Sequence, residues 1–319
     1  MRDARAHLVQ AGKEQELWLN RLEEQHQDLH DLVNRFLESD QSVALELAAT
    51  LWRFWWLRDH MAEGRSFVER ASRIDGPDRI EALKGLGTIA FRQGDLSAAD
   101  RAFNERLGLL EATDRKRDIA DAFADMARLA LRRGDFAAVR SFAENGYKAA
   151  SGLDATAIRM LVHLRAAAAR MEGRYAEARA LYLESRELNV QLGNERNVAG
   201  EDHNLFYVAL HTGDRAEAER RFLGFREWSF AHDDAYQRPY VFLDAGVLAL
   251  HDRDFERAGH LVARAQRIFE DAGAVPDPDD KVELDDAVSR LKRELGHGFD
   301  HVWAQGTKLT IAEAQALAR

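Results

Sequence analysis

Four stretches of the sequence share one pattern, in which a glycine and a polar residue open an alanine-rich amphipathic run. They are GDLSAADRAF at Gly94, GDFAAVRSFA at Gly134, GRYAEARALY at Gly173 and GDRAEAERRF at Gly213. The same frame fits DHMAEGRSFV at Asp59 and RDFERAGHLV at Arg253. These six anchor residues are 35, 40, 39, 40 and 40 residues apart, so the chain repeats a structural unit along most of its length.

Each anchor residue marks the turn inside a pair of helices. A glycine here ends the first helix in a left-handed or turn conformation, and the polar residue after it starts the second helix. The small residue five positions later lets the two helices approach closely. These residues are Gly64, Ala99, Val139, Ala178, Ala218 and Ala258. Apolar residues recur at helical spacing and none alternate with a period of two, which predicts an all-α, right-handed superhelical solenoid of antiparallel helix pairs.

The second repeat carries the consensus spacing of a known repeat family. Its matching residues are Leu86, Gly87, Gly94, Ala99 and Phe103, and on them the chain resembles the tetratricopeptide-repeat family. The other repeats often lose the first-helix glycine, and their period exceeds the usual one of about 34 residues. The longer repeats are similar to the sensor arrays of large bacterial signal-transduction ATPases that regulate transcription. Residues 18–38, 51–71 and 299–318 carry that second resemblance.

The resemblance implies a module that recognises a protein partner or an effector in signal transduction or transcription regulation. In such regulators a nucleotide-binding module usually precedes the array and a DNA-binding helix-turn-helix often follows it. The sequence has no G-x-x-x-x-G-K-[ST], so ATP binding is not carried over. It also lacks H-E-x-x-H and G-x-S-x-G, so we expect no enzyme, no cofactor and no metal. The chain is then either a free-standing sensor or a fragment of a larger regulator.

Composition narrows the class of protein further. Hydrophobic residues make up 46% of the chain and prolines number only four, so a helical core can be buried. No signal peptide and no run of 18 apolar residues occur, which predicts a soluble, cytoplasmic protein without a membrane partner. The absence of cysteine excludes disulfides and thiolate metal sites. A formal net charge of −10 disfavours direct nucleic-acid binding.

The sequence predicts three regions along the chain. Residues 1–40 form an N-terminal helical cap, residues 41–275 the six helix pairs, and residues 276–319 a C-terminal helical cap. The first cap has an apolar stripe and a polar outer face. The stripe contains Trp18, Leu22, His26, Leu29 and Leu32 or Val33, and the outer face Glu23, Glu24, Gln27 and Asp28. Loops at 75–77 and 276–280 are the clearest breaks. Thr310 and Glu313 predict a capping box at the last helix.

The first helices of the pairs are predicted to line a concave groove. Positions ten, six, three and two residues before each anchor residue point into it or lie beside it. Those positions hold five Arg, one Lys and four His but no Asp or Glu, so the groove is predicted to be positive. The candidate ligand-binding residues are Arg53, Trp56, Lys84, Arg92, Arg128, Arg132, His163, Arg170, His203, Tyr207 and His211.

The residue types in the groove indicate an anionic ligand. Arg92, Arg128 and Arg132 offer forked donors for carboxylate or phosphate, and Tyr207 and Trp56 offer flat apolar contact. An acidic peptide, a protein segment or a small anionic effector would fit. The alternative is internal ion pairing with acids one turn earlier on each first helix. Those acids are Glu46, Glu81 and Asp121.

Several other features have simpler explanations. The aromatic cluster Trp52, Phe54, Trp55 and Trp56 is expected to pack the first repeat against the N-terminal cap, with Trp56 the best placed for a ligand. A metal site formed by the groove histidines is disfavoured, because these histidines lie on different helices and no carboxylate occupies the groove positions. His297 and His301 could also bind a metal, but they belong to the glycine-rich turn GHGFDH, which explains them as polar surface residues. Two alternative functions remain, namely a structural scaffold that self-associates through its caps into a homo-oligomer, and a nucleic-acid-binding regulator.

Overall fold

A computed structural model describes residues 2–9 and 13–319, and within those ranges the chain is helical and contains no strand. The described chain divides into two compact units. Unit 1 comprises Met1–Arg133 and Arg140–Leu153, and unit 2 comprises Gly134–Val139 and Asp154–Arg319. The predicted fold class, an all-α solenoid of helix pairs, is confirmed.

Unit 1 contains three N-terminal helices followed by helix pairs. The N-terminal helices are α1 (Arg2–Val9), α2 (Lys13–Glu24) and α3 (His26–Ser39). The following helices are α4 (Gln41–Leu57), α5 (Met61–Ala71), α6 (Arg79–Arg92), α7 (Leu96–Glu111) and α8 (Lys116–Arg132). Helix α9 (Phe136–Ala149) has residues in both units. The stripe predicted for the N-terminal region is interrupted at Gln25, where α2 ends and α3 begins, and its buried members are Leu22, Leu29 and Val33.

Unit 2 contains three helix pairs and a C-terminal group of helices. The pairs are α10 (Ala155–Met171) with α11 (Tyr175–Gln191), α12 (Glu195–His211) with α13 (Arg215–Ala231), and α14 (Arg238–His251) with α15 (Phe255–Asp271). The C-terminal group is α16 (Pro278–Leu295), a 3₁₀ turn (Gly296–Gly298), α17 (Phe299–Gly306) and α18 (Ile311–Leu317). None of the described helices combines the length and apolar character needed to cross a bilayer.

All six anchor residues have the left-handed backbone that the repeat pattern predicts. Their φ angles are 61° at Asp59, 78° at Gly94, 72° at Gly134, 72° at Gly173, 80° at Gly213 and 62° at Arg253. The polar residue that follows starts the second helix in several repeats, because the side chains of Asp95, Asp214 and Asp254 accept hydrogen bonds from backbone N–H groups three residues later. The predicted register is therefore confirmed.

Small side chains allow close packing inside the pairs. Ala99, Ala178, Ala218 and Ala258 are fully buried in the second helices. In unit 1 a Cβ added at Gly87 would overlap the ring of Phe103, so only glycine lets the ring pack there. A side chain at this first-helix position would push the helices apart.

The turns between successive pairs form a second periodic series that the sequence analysis did not identify. Its members Gly152, Gly193, Asp233 and Gly273 have φ angles of 81°, 64°, 46° and 57°. Each follows a second helix; the first three precede the first helix of the next pair, and Gly273 precedes α16. A left-handed residue thus reverses the chain at both ends of these repeats.

The C-terminal segment confirms one local prediction and corrects another. Thr310 and Glu313 form the predicted capping box at the start of α18. Residues 276–280, predicted as a break, are only partly a loop, because Pro278 opens α16 and Asp279 and Asp280 lie in its first turn. Both acids are buried, with exposed fractions of 5% and 4%.

Exchanging residue types at two anchor positions should change stability in opposite directions. Arg253→Gly should raise the free energy of unfolding by about 0.5–1 kcal/mol, because the left-handed conformation penalises a side chain and Arg253 is exposed. Gly213→Ala should lower it by about 1 kcal/mol, since no atom lies within 4 Å of the added Cβ and only the backbone is strained. Urea denaturation measures both changes. Two changes of the same sign would contradict the role assigned to these turns.

Candidate functional site

In unit 2 the start of α16 packs against the first helices of two pairs, α10 and α14. Arg170 of α10 is 3% exposed, and its Nη2 donates to Oδ1 of Asp280 at 2.8 Å. Nη1 of the same guanidinium lies 3.4 Å from Oδ2 of Asp279. The Tyr182 hydroxyl donates to that same Asp279 oxygen at 3.2 Å. We call the surface formed by Arg170, Tyr182, His203 and His211 the α16-binding face.

His203 lies between two carboxylates on the α16-binding face. Its Nδ1 is 2.8 Å from Oδ2 of Asp244 on α14, and its Nε2 is 3.1 Å from Oδ1 of Asp280. Burial by itself would lower the pKa of His203, but the two negative charges raise it to about 10. Burial raises the pKa of Asp244 to about 6, although His203 opposes that shift. The site therefore holds an imidazolium at neutral pH.

The other predicted histidines of unit 2 also face carboxylates. His211 Nε2 lies 2.9 Å from Oε1 of Glu283 on α16, and its ring stacks on Tyr175 with 5.0 Å between centroids. His163 Nδ1 lies 3.0 Å from Oε1 of Glu201. Burial acts to lower the pKa of His163, but the charge of Glu201 outweighs it and the pKa is raised. Each of these three imidazoles therefore has a carboxylate partner.

Tyr207 is predicted to offer a flat contact to a ligand, but its ring is 1% exposed. The guanidinium carbon of Arg170 lies 4.8 Å from the Tyr207 ring centroid, so the aromatic face is used by an internal cation. The ring of His203 meets it edge-on at 5.4 Å between centroids. Tyr207 thus packs against Arg170 and His203, two residues of the α16-binding face.

In unit 1 the predicted bases pair with acids of the next repeat. Arg53 Nη1 donates to Oε1 of Glu81 at 2.8 Å, and Lys84 Nζ donates to Oδ2 of Asp121 at 2.6 Å. Burial by itself would raise the pKa of Glu81. The positive charge of Arg53 is the largest of the opposing contributions, and together they lower this pKa below its usual value. Glu81 and Asp121 are two of the acids for which the sequence suggested internal pairing.

A buried arginine that the sequence analysis missed connects this network. Arg106 of α7 is 1% exposed, and it donates to Asp125 at 2.8 Å and to Asp121 at 2.7 Å. Burial would raise the pKa of Asp121, but the charges of Lys84 and Arg106 hold it well below its usual range. Burial and the charge of Asp121 raise the pKa of Asp125. The predicted Arg128 lies against Asp125, with 3.5 Å between Nη1 and Oδ1.

The remaining candidates of unit 1 lie beside aromatic rings or in the core. Arg92 is 7% exposed. Burial raises the pKa of Asp59, and the positive charge of Arg92 is one of the contributions that oppose this shift. The guanidinium carbon of Arg132 lies 4.5 Å from the Phe91 ring centroid. Trp56 stacks on Trp52 with 6.0 Å between centroids. All three side chains therefore have contacts inside unit 1.

The acids that pair with the cations of the predicted groove include two groups that the sequence did not reveal. Asp125 and Asp244 each lie nine residues before an anchor residue, which is one residue after a predicted groove position. Their shared repeat position was a signal that could have identified them. Asp279, Asp280 and Glu283 come from outside the repeats, and no periodicity points to them.

These features define an all-α protein of tetratricopeptide-like helix pairs whose first-helix cations are largely paired with carboxylates. No family model matches the chain. No curated protein matches it either.

Solved structures of Rap proteins share this fold. A Rap protein complexed with competence and sporulation factor has a TM-score of 0.64 at 14% identity, covering 95% of this chain and 82% of that one. The Rap conjugation gene regulator of the plasmid pLS20, in complex with the Phr* peptide, has a TM-score of 0.56 at 12% identity, covering 81% and 77%. The apo form of RapI has a TM-score of 0.50 at 12% identity, covering 96% and 91%. At these identities the similarity shows the fold alone.

Replacing His203 by glutamine should alter how stability depends on pH. Because the pKa of His203 rises from its ordinary 6.5 to about 10, its stabilising contribution is complete below pH 6.5 and lost as the pH rises through 10. Between pH 7 and pH 10 the unchanged chain should lose on the order of 2–4 kcal/mol of unfolding free energy relative to His203→Gln. Urea denaturation at a series of pH values measures the difference. His297→Gln, at an exposed histidine, is the control, and equal slopes for both variants would contradict the imidazolium.

Removing the buried guanidinium of Arg170 should cost far more than removing an exposed one. Arg170→Met should destabilise the chain by about 3–5 kcal/mol, because Asp279 and Asp280 would remain buried with one cationic partner fewer. The matched control is Arg267→Met, which removes an exposed pair with Asp271 and should cost about 0.5 kcal/mol or less. Chemical denaturation followed by circular dichroism compares them. Similar losses would show that the buried pairs do not hold α16.

Proposed function

We propose that this chain is a non-enzymatic regulatory module that binds an acidic peptide or protein segment on the α16-binding face of unit 2. The observation that carries the proposal is that an acidic segment of the chain itself lies on this face. Arg170, Tyr182 and His203, from three different helices, converge on the adjacent carboxylates of Asp279 and Asp280. This arrangement recognises two neighbouring acids by direct pairing.

The same contacts make the face dependent on an acidic occupant. If the first turn of α16 left, Arg170 would lose its carboxylate partners and His203 would keep only Asp244. An uncompensated buried charge costs several kcal/mol. A partner segment that supplies two adjacent carboxylates would restore the pairs, so it can exchange with α16. Because α16 is tethered at a high effective concentration, an external segment competes at a disadvantage.

The Rap structures support a peptide as the exchanging partner. Two of these proteins were solved with a bound competence and sporulation factor or a bound Phr* peptide, on a fold like that of this chain. In our proposal, exchange at the α16-binding face shifts the population of docked and released α16, and that shift is the signal passed to a downstream partner. We place this regulation in the cytoplasm, in signal transduction or transcription control.

Unit 1 contains a separate group of groove cations, in which Arg128 and Arg132 are half-buried and Arg92 is 7% exposed. We propose that these groove cations of unit 1 contact an acidic partner or a small anionic effector independently of unit 2.

Changing Arg92, Arg128 and Arg132 together to Glu should weaken binding of an acidic partner at least tenfold, which corresponds to about 1.4 kcal/mol. Unchanged affinity in a fully helical variant would remove unit 1 from the binding surface.

A peptide of this chain's own sequence tests the main proposal. A labelled peptide of residues 274–286 should bind Asp279→Asn/Asp280→Asn at least tenfold more tightly than the unchanged chain, because the internal competitor has lost its charges. It should also raise the melting temperature of that variant, since it re-pairs Arg170 and His203. Fluorescence anisotropy and thermal unfolding of the full chain measure the two effects. The matched control is Asp285→Asn/Asp286→Asn, which changes two exposed acids of the same helix.

A second variant covers the case in which the double variant does not fold. Leu284→Ala loosens the packing of α16 without changing a charge, because Leu284 is 3% exposed and touches the core of unit 2. It should likewise bind the peptide more tightly than the unchanged chain. The comparison is the same peptide with Asn in place of Asp279 and Asp280. Equal binding of the acidic and neutral peptides would overturn acid recognition.

A further inference from the structure

Two histidines and two glutamates of unit 1 meet where α2 passes into α3 and where α5 begins. Glu23 lies in the last turn of α2, and His26 is the first residue of α3. His60 directly precedes α5, and Glu63 lies in its first turn. In the sequence, His26 falls in the predicted apolar stripe and Glu23 on the predicted outer face, and no pattern connects either residue with His60.

The two imidazoles stack on each other instead of pointing apart. Their ring centroids are 3.9 Å apart and their planes differ by 24°. His60 Nε2 lies 3.0 Å from both carboxylate oxygens of Glu23, and His26 Nε2 lies 2.9 Å from Oε2 of Glu63. One ligand atom from each of Glu23, His26 and His60 lies within 4.8 Å of the other two. Three potential ligand atoms thus converge from three elements.

The surroundings hold these side chains in place. Trp55 Nε1 donates to Oε1 of Glu63 at 3.3 Å, whereas His26 contacts the other oxygen, Oε2, so both oxygens of this carboxylate have a partner. The fully buried ring of Phe54 contacts both imidazoles, with centroid distances of 5.9 Å to His26 and 5.7 Å to His60. Such outer contacts orient ligands in metal sites.

The charges of the cluster also suit a divalent cation. A divalent ion placed between the imidazoles and the carboxylates would be attracted by the negative charges of Glu23 and Glu63 at close range. Two neutral imidazoles, two carboxylates and one divalent ion are electrically neutral together. Two histidine nitrogens and one carboxylate oxygen, as in Glu23, His26 and His60, are a ligand set typical of Zn²⁺ and of neighbouring transition-metal ions.

We propose that Glu23, His26 and His60 bind a divalent transition-metal ion, of which Zn²⁺ is the representative. The two Nε2 atoms bind the ion through their lone pairs, with the proton of each neutral ring on Nδ1. Glu63, beside the same nitrogen of His26, remains near the ion as an outer carboxylate. The ion links the corner between α2 and α3 to the start of α5. The site is independent of the peptide proposal for unit 2.

Calorimetric titration of the metal-free full chain with Zn²⁺ tests this site. We expect one ion per chain and a raised melting temperature. His60→Gln and Glu23→Gln should each weaken binding at least tenfold. Glu23 is exposed, so the second variant keeps the fold even if the first does not. Glu63→Gln should weaken binding less than His60→Gln, because Glu63 is outside the set of direct ligands.

The matched control is His297→Gln/His301→Gln, which removes two exposed histidines of unit 2. This variant should bind Zn²⁺ as the unchanged chain does. The proposal is overturned if the unchanged chain gives no saturable heat of binding. It is also overturned if both His60→Gln and Glu23→Gln bind Zn²⁺ as tightly as the unchanged chain does.

Discussion

The left-handed residue between the two helices of each pair is the constraint on which the repeat depends. It reverses the chain within a few residues, so the second helix must return beside the first. Asp59 and Arg253 adopt the same conformation despite the cost to a side chain, with φ angles of 61° and 62°. Because the turn is uniform, residues at equal distances before it take equivalent places, and the small second-helix residue then sets how closely the helices pack.

Charge pairing is the second consequence of this geometry. First-helix positions are half-buried, where a cation without a partner is costly. In unit 1 Arg53 meets Glu81 and Lys84 meets Asp121, each acid belonging to the following repeat. In unit 2 His203 meets Asp244 of the following pair. The pairs therefore connect neighbouring repeats and favour one order of stacking, in addition to the apolar contacts.

The acids of α16 differ from those of the repeats in how they are held. Asp244 is part of a helix packed in the stack, whereas Asp279 and Asp280 belong to the first turn of a helix that follows the last pair. A helix start can separate from a surface at a lower cost than a central helix, because fewer buried contacts are lost. This difference explains why we assign the exchangeable position to α16 and a structural role to Asp244.

The sequence by itself determined the fold class, the turn positions and the capping box at Thr310, because each depends on residues close together in the chain. It also placed Arg170 and His203 among the candidate residues, from their distance to the next anchor residue. Only the tertiary structure decided their partners, since Asp280 is 110 residues from Arg170. The same holds for His26 and His60, which come from different helical elements. Local periodicity specifies helices and their faces, whereas contacts between distant segments depend on how the elements pack in space, which spacing along the chain does not encode.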